Sequence, residues 1–239
     1  MSAPYTGIDN LEIMAGAVKY LRFLNDRIAA VAGPTTRGPR LLDFGAGSGT
    51  HAIDLHHRGY AVDCLEIDPT LKDHLRDAGL TVFADVAELV PESYDVAYTM
   101  NVLEHIEDDL AAVRSLARAL RPGGKLVVYV PALQILYSSM DTKVGHLRRY
   151  RLGELVDTVR RAGFQVDRCR YVDSLGFAAT LAYKAVGSRR GDISTGSVSF
   201  YDRYGFPVSR GLDRVLDRVV GKNLLLVATR PATLFPEQP

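Results

Sequence analysis

Residues 41–50 read LLDFGAGSGT, and this stretch decides the fold. An apolar run that ends at Phe44 is typical of a short buried strand. Three glycines then alternate with other residues, at Gly45, Gly47 and Gly49. Glycine lets the backbone take a positive φ and lets a ligand approach without a Cβ in the way. Thr50 begins the next predicted helix, whose N-terminal N–H groups face the same turn. The stretch indicates a strand–turn–helix unit with room for a ligand.

The spacing of these glycines is G-x-G-x-G. A dinucleotide-binding fingerprint has its third glycine at the position that Thr50 holds here, so the spacing disfavours NAD. A glycine-rich turn also occurs as a plain tight connection between a strand and a helix. The turn alone therefore leaves its ligand open, and the residues that follow decide between these interpretations.

Apolar strand-like runs alternate with helical patterns along most of the chain. The predicted strands are Arg40–Phe44, Ala61–Ile67, Leu80–Ala84, Tyr94–Thr99, Lys125–Val130, Gln165–Tyr171 and Leu224–Ala228. Helical apolar spacing separates most of these strands, and this alternation predicts βαβ units in a doubly wound, mostly parallel α/β sheet. The last two strands are expected to form an antiparallel edge pair.

Two segments fall outside this alternation. Residues 1–36 carry one amphipathic helix, with apolar side chains from Met14 to Val31, and are expected to form an N-terminal helical cap. Residues 173–221 hold one clear helix and several aromatic residues, and are expected to form an insertion that builds an acceptor-site cap or a dimer contact. We expect both segments to belong to a single domain that spans residues 1–239.

Polar side chains follow three successive predicted strands. Glu66 ends the second, Asp85 comes after the third, and Asn101 comes after the fourth. Ligands of doubly wound sheets bind at the carboxyl ends of the strands, where these residues are expected to lie. Each of the three could instead be a helix cap or a turn residue, but their joint placement favours a ligand site.

At this point the sequence resembles the class I methyltransferases that use S-adenosylmethionine. The matching stretches are LLDFGAGSG at 41–49, the strand end at Glu66, Asp85, NVLEHIEDD at 101–109 and LRPGGKLVVYVP at 120–131. The resemblance implies a Rossmann-like, seven-stranded sheet whose last strand is antiparallel. It also implies that S-adenosylmethionine lies with its methionine end over the glycine turn, its ribose at Glu66 and its adenine between Ile67 and Asp85.

The resemblance implies one set of cofactor-binding residues along these strand ends. They are Asp43, Gly45, Ala46, Gly47, Gly49, Glu66, Ile67, Asp85, Val86, Asn101 and Val102. Arg22, on the opening helix, is expected to contact the cofactor carboxylate, because such a helix often closes over the cofactor in this fold.

Further likeness at 145–150 (GHLRRY) and 162–164 (AGF) indicates a bacterial subgroup associated with small molecules, sugars and polysaccharides. The expected reaction is therefore methyl transfer to an oxygen or nitrogen atom of a small molecule, such as a sugar or a natural-product intermediate. Two alternatives stay open: methylation of RNA or protein, and a non-catalytic module that binds S-adenosylmethionine or NAD.

Three residues are candidates for the catalytic role. An alcohol acceptor benefits from a positioned base, and His105 and His146 follow the fourth and fifth strands. Tyr150 lies in the same loop as His146. His105 could equally be structural, and a small basic cluster, Arg148, Arg149 and Arg151, could hold an anionic group of the acceptor or form a solvated face.

Composition narrows the list of partners. The 239 residues contain 29 Lys and Arg against 28 Asp and Glu. This balance gives the sequence no broad excess of positive charge of the kind that binds nucleic acid. Asp108 and Asp109 are expected at a helix start, and no other metal constellation is evident, so no metal ion is predicted. With neither a signal sequence nor a membrane span, we expect a cytoplasmic protein in which Cys64 and Cys169 are free thiols. A homodimer is one expected arrangement.

Overall fold

A single seven-stranded sheet forms the centre of the computed structural model, which describes residues 16–186 and 195–232. Its strands are β1 (Arg40–Phe44), β2 (Ala61–Leu65), β3 (Thr81–Phe83), β4 (Tyr94–Met100), β5 (Leu120–Pro131), β6 (Gln165–Val172) and β7 (Asn223–Thr229). They lie in the order β3-β2-β1-β4-β5-β7-β6. The predicted fold class is confirmed.

Strand direction also follows the prediction. β1 to β5 pair in parallel, and β7 pairs antiparallel with both β5 and β6. The last two strands thus form the predicted antiparallel pair at one edge of the sheet, with β7 between β5 and β6 and with β6 outermost. Leu224, Leu226 and Ala228 of β7 are fully buried, which suits an interior position.

Helices cover both faces of the sheet. They are α1 (Val18–Ala32), α2 (Thr50–His57), α3 (Pro69–Asp77), α4 (Asp109–Ala119), α5 (Ser139–Val144), α6 (Leu152–Arg161), α7 (Ser174–Val186), α8 (Thr195–Phe200) and α9 (Phe206–Leu216). Two hydrophobic clusters fill the space between helices and sheet, one around α4 and α6 and the other around α1 and α2. No helix within the described residues is long and apolar enough to cross a bilayer.

Two segments differ from the simple alternation of strands and helices. β5 begins at Leu120 and runs through residues 122–124 (PGG), so it is longer than the predicted Lys125–Val130. The loop 132–150 holds the short helix α5. Met14 and residues 187–194, which belong to the two predicted caps, lie outside the described residues.

The described parts of both caps are joined by a buried carboxylate. Asp202 lies in a π-helical turn (Tyr201–Gly205) between α8 and α9. Its two oxygens accept hydrogen bonds from the backbone N–H groups of Lys19 and Tyr20, each at 2.9 Å. These donors belong to the first turn of α1, where N–H groups have no partner inside the helix. Asp202 therefore caps α1 from the far end of the chain.

A second network holds α9 against the end of β6. The Asp213 carboxylate accepts hydrogen bonds from the backbone N–H groups of Asp173 and Ser174, at 3.1 and 2.9 Å. Ser209 donates to Asp173 at 2.8 Å, and Tyr201 donates to the same oxygen. Asp173, Ser209 and Asp213 are all buried, so α9 turns its polar side inward. The exposed positions of α9 include the apolar side chains of Val208, Leu212 and Val215.

Replacement of the capping carboxylate is expected to weaken the fold. Asp202→Ala removes the acceptor for two N–H groups of α1 and should lower the free energy of unfolding by about 1–2 kcal/mol. Urea denaturation measures the change. Asp157→Ala, at an exposed position on α6, is the matched control and should change stability by less than about 0.5 kcal/mol. Equal stability of the two variants would contradict the capping role.

Candidate active site

The glycine turn follows β1 and requires its glycines. Gly45, Gly47 and Gly49 all have positive φ, of 79°, 55° and 77°. A Cβ on Gly45 would lie 2.6 Å from a methyl carbon of Val102, too close for any side chain. The N–H groups of Gly45 and Ala46 donate to the carbonyl of Leu65, at 2.9 and 3.1 Å. The turn is thus fixed against the end of β2, and the loop after β4 packs directly upon it.

Glu66 lies directly after β2 and is bonded to the same turn. One of its carboxylate oxygens accepts the N–H of Gly47 at 2.7 Å. The other accepts the N–H groups of Ile67 and Asp68, at 2.8 and 2.9 Å. The side chain is buried, so these backbone donors replace the water that a carboxylate normally binds. The structure therefore holds a fixed acceptor group beside the glycine turn.

Asp43 lies beneath the turn, at the end of β1. The residue is 2 % exposed, and one of its oxygens has no hydrogen-bond partner within the described chain. Burial raises the pKa of Asp43 to about 8, and the negative charge of Glu66 acts in the same direction. Asp43 is consequently protonated, and so uncharged, at neutral pH.

The residues predicted to surround an adenine lie at two adjacent strand ends. β2 pairs with β3 so that Leu65 is opposite Phe83, which brings Ile67 and Asp85 to the same edge of the sheet. Ile67 is 72 % exposed and Val86 is 37 % exposed, so both present apolar surface there. Asp85 accepts the N–H of Ala87 at 2.8 Å and caps a short 3-10 turn. The capping role considered from the sequence is thus present alongside the ligand-site placement.

Asn101 and Val102 follow β4, and Val102 packs against the glycine turn. Asn101 has a φ of 55°, unusual for a residue other than glycine, and its N–H donates to the carbonyl of Tyr129 at 2.8 Å. This backbone conformation turns the chain so that Val102 packs against Gly45. The two residues therefore lie at the same strand ends as Glu66, as predicted.

Arg22 lies apart from these residues. Its side chain is exposed on α1, and the structure shows no hydrogen bond or ion pair that joins it to residues 43–50, all of which are described. The side of α1 that faces α2 carries Asn25 instead, which contacts Asp54 at 2.7 Å and His51 at 2.6 Å. Contact of Arg22 with a cofactor stays a prediction.

The structure brings His105 and His146 together. Their rings are 4.8 Å apart between centroids and meet edge to face. Nδ1 of His105 lies 3.2 Å from the carbonyl oxygen of Gly145, and Nδ1 of His146 lies 2.7 Å from Oδ1 of Asp141. Burial lowers the pKa of His105 to about 4, and the neighbouring His146 ring adds to this effect. His105 is therefore neutral at physiological pH.

Glu104 is the residue of this site that sequence reasoning missed. Its side chain is fully buried, and neither carboxylate oxygen has a hydrogen-bond partner within the described chain. Nε2 of His146 lies 3.7 Å from Oε1 of Glu104. Burial raises the pKa of Glu104 to about 8, against the opposing charge of Arg149. The position directly before His105 was the available signal, but it resembled an ordinary 3-10 turn.

The predicted basic cluster is used inside the protein. Arg149 is buried and pairs with both oxygens of Asp141, at 2.8 and 3.1 Å. Although burial acts to raise it, the bonds from His146 and Arg149 hold the pKa of Asp141 well below its usual range. Arg148 pairs with Asp109 at 3.2 Å. These two arginines are therefore paired with carboxylates of the protein itself.

Tyr150 also has an internal role. It is 3 % exposed, and its hydroxyl donates to Oδ2 of Asp109 at 2.7 Å, with the carbonyl of Leu103 as a second acceptor at 3.1 Å. Burial raises its pKa well above the usual value. Tyr150 thus anchors the segment that carries the histidines, and these contacts do not support a direct catalytic role.

The sequence and the fold can now be compared with known proteins. Residues 16–168 match the family described as "Methyltransferase domain". The chain belongs to this methyltransferase family. The match covers more than half of the chain and includes the glycine turn, Glu66 and both histidines.

Relatives with assigned names are similar over part of their length. The 27-O-demethylrifamycin SV methyltransferase of Amycolatopsis mediterranei is 34% identical over 117 residues, which are 44% of this chain and 43% of that protein. A ubiquinone biosynthesis O-methyltransferase of Xanthomonas euvesicatoria is 33% identical over 99 residues, 37% of this chain and 41% of that protein. The chain thus spans less than half the length of these two relatives.

Solved structures agree in fold. The S-adenosylmethionine-dependent methyltransferase from Mesorhizobium loti matches with a TM-score of 0.57 at 20% identity, over 87% of this chain and 96% of that one. Phosphoethanolamine N-methyltransferase 2 of Haemonchus contortus, solved with S-adenosyl-L-methionine, gives a TM-score of 0.57 at 18% identity, over 87% and 52% of the two chains. At such identities the likeness shows the shared fold of the methyltransferase family.

The raised pKa of Asp43 predicts a pH-dependent stability difference. Its folded pKa of about 8 exceeds that of an unfolded aspartate, about 4, so ionisation favours the unfolded chain as pH rises through this window. Asp43→Asn mimics the protonated form and has no such dependence. Urea denaturation of both proteins from pH 4.5 to 8.5 should show the variant gaining stability relative to the wild type. A difference that does not change with pH would contradict protonation of Asp43.

Proposed function

We propose that this protein is a methyltransferase that uses S-adenosylmethionine to methylate an oxygen or nitrogen atom of a small molecule. The observation that carries the proposal is the bond between Glu66 and Gly47, which joins an acidic strand end to the glycine turn at 2.7 Å. The Glu66 carboxylate can accept hydrogen bonds from the hydroxyls of a sugar. The glycines of the turn let another part of the same ligand approach the backbone closely.

The expected binding mode follows the order of the strand ends. The methionine part of the cofactor lies over the residues from Gly45 to Gly49, where Asp43 supports the turn from below. The ribose hydroxyls donate to Glu66, and the adenine lies against the exposed side chain of Ile67 near Asp85 and Val86. Because Val102 packs on Gly45, the sulfonium end of the cofactor then faces the segment that continues to His105.

Loss of the Glu66 carboxylate should weaken cofactor binding. A hydrogen bond to a charged group contributes about 1.5–3 kcal/mol, which corresponds to roughly a 10- to 150-fold change in Kd. Calorimetric titration of Glu66→Ala with S-adenosylmethionine should show a decrease in affinity of this size. The exposed Asp157→Ala is the control and should bind like the wild type. Unchanged affinity in a folded Glu66→Ala protein would contradict the binding mode.

The chemistry of the acceptor side supports transfer to oxygen in particular. Methyl transfer is an in-line displacement: the acceptor atom forms a bond to the methyl carbon while the carbon–sulfur bond breaks and its electron pair stays on sulfur. An amine need only be neutral, but a hydroxyl must also lose its proton. The ionisable side chains around His105 and His146 suit the removal of this proton. The named relatives, moreover, are O-methyltransferases of small molecules.

The two caps support a small acceptor. In the described part of residues 173–221, Nζ of Lys184 donates to the carbonyl of Ile135 at 2.8 Å, in the loop that leads to His146. Tyr20 of α1 bonds to Tyr129 of β5 at 2.9 Å. We infer from these two contacts that the caps cover the site, and a covered site favours a small molecule over RNA or a folded protein.

Replacement of the histidines should slow methyl transfer without affecting the cofactor. His105→Ala and His146→Ala should each lower the rate by about 10²–10⁴-fold, the range of acid–base and comparable contributions, with the Kd for S-adenosylmethionine unchanged. The assay follows tritium from methyl-labelled S-adenosylmethionine into the low-molecular-mass fraction of a cell extract. Wild-type rates in both variants would contradict the role, and label confined to RNA or protein would favour the macromolecular alternative.

We also propose a cytoplasmic homodimer. Cys64 and Cys169 are both unpaired and buried, which suits a reducing compartment. The exposed apolar side chains of α9 offer a contact surface, with Val215 80 % and Leu212 42 % exposed. Light scattering after size-exclusion chromatography should give twice the monomer mass of 26.2 kDa. A monomer that Val215→Asp leaves unchanged would contradict the dimer.

A further inference from the structure

We propose that Glu104, His105 and His146 form a binding site for a divalent transition-metal ion, with Zn²⁺ the best match to the ligands. The site lies where the loop after β4 meets the loop after β5. Each residue offers one ligand atom, and these three atoms all lie within 4.8 Å of one another. No metal ion is predicted from the sequence, in which Glu104 and His146 are far apart, and only the fold brings them together.

The ligand types fit zinc chemistry. Two imidazoles and one carboxylate form a known set in catalytic zinc sites, which leave a fourth position for water or substrate. Ligand bonds of about 2.0–2.1 Å place tetrahedral ligand atoms about 3.3 Å from one another. Nε2 of His146 and Oε1 of Glu104 are already 3.7 Å apart. Side-chain shifts of about 1 Å would therefore complete the coordination.

The remaining ring nitrogens are held as metal-binding histidines usually are. Such histidines donate their second N–H to a carboxylate or a backbone carbonyl, which fixes the tautomer and the orientation of the ring. Nδ1 of His146 lies 2.7 Å from Asp141, and Nδ1 of His105 lies 3.2 Å from the carbonyl oxygen of Gly145. In His146, donation by Nδ1 leaves the lone pair on Nε2, the atom that lies 3.7 Å from Oε1 of Glu104. Two different partners thus prepare both rings for coordination.

The surroundings of the Glu104 carboxylate also indicate a cation, independently of the distances between the three ligand atoms. It is 0 % exposed, and within the described residues neither oxygen accepts a hydrogen bond. The buried Arg149 does not fill this role, because its guanidinium is bonded to Asp141. A buried carboxylate without donors is costly unless it is paired or coordinates a metal. A divalent ion between Glu104 and the two histidines would satisfy it.

The role of the ion in catalysis rests on the proposed methyl transfer. An acceptor hydroxyl bound at the open position would lose its proton to solvent more readily, because the ion stabilises the resulting alkoxide or phenolate. The oxygen then takes the methyl group, the carbon–sulfur electron pair stays on sulfur, and the products are the methyl ether and S-adenosylhomocysteine. Glu104, His105 and His146 act as ligands in this scheme, and Asp141 is a positioning residue.

Metal binding is tested on the full chain without an acceptor. The protein is stripped with a chelator and titrated with Co²⁺, whose visible absorption reports nitrogen and oxygen ligands in a tetrahedral site, followed by displacement with Zn²⁺. We expect about one ion per chain, loss of the absorption in His146→Ala and in the isosteric Glu104→Gln, and a 10- to 100-fold lower affinity in Asp141→Asn. His57→Ala, at an exposed position on α2, is the control and should titrate like the wild type.

The outcomes separate this proposal from the proposed function. Absence of Co²⁺ absorption in the folded wild type, or equal titration of Glu104→Gln and wild type, would overturn the metal site even if S-adenosylmethionine binds normally. Metal binding in a protein that fails to bind S-adenosylmethionine would instead support the site and contradict the methyltransferase function. Circular dichroism of each variant excludes loss of the fold as the cause of a negative titration.

Discussion

The site depends on the backbone hydrogen bonds that Glu66 accepts. Three N–H groups, from Gly47, Ile67 and Asp68, fix one buried carboxylate at the end of β2. The bond to Gly47 reaches across to the turn after β1, so the two strand ends cannot move independently. A carboxylate has about four acceptor positions, and three are occupied. A ribose that binds there would therefore compete with the Gly47 N–H, which couples cofactor binding to the shape of the turn.

The acceptor side follows a different physical rule. The turn around Glu66 is built from backbone groups, whereas the group around Glu104 is built from buried ionisable side chains. Asp141 and Arg149 neutralise each other, and His146 bonds to the same carboxylate. Among the residues that the structure describes, none donates to the Glu104 carboxylate, which is the feature that a purely structural group would avoid. The division matches the two tasks of a methyltransferase, one site for a constant cofactor and one for the chemistry of the acceptor.

The sequence predicted the sheet well because its signals are local. The apolar runs of β1, β4 and β5 and the glycines after β1 report burial and backbone conformation at their own positions. The placement of β7 between β5 and β6 was not predicted, because strand order depends on contacts between distant segments. The cofactor-binding residues were predicted from the resemblance to a known family. Without that resemblance, Glu66 and Asp85 could not be distinguished from helix caps.

The acceptor side was predicted less completely. His105 and His146 were identified as candidates, but their mutual contact and the role of Glu104 arise only when two loops meet. Tyr150 and the arginines around it looked functional because of their chemistry and their place in the loop. In the structure, the carboxylates of Asp109 and Asp141 engage Tyr150, Arg148 and Arg149. Sequence shows which groups are present, but not which of them already have partners.

A crystal structure with S-adenosylhomocysteine tests the central claim most directly. We expect the ribose hydroxyls of the bound product to lie within hydrogen-bond distance of Glu66. Its amino-acid part should lie over the glycine turn, with the sulfur directed toward His105 and His146. A product molecule bound elsewhere, or one whose sulfur faces away from the histidines, would contradict it.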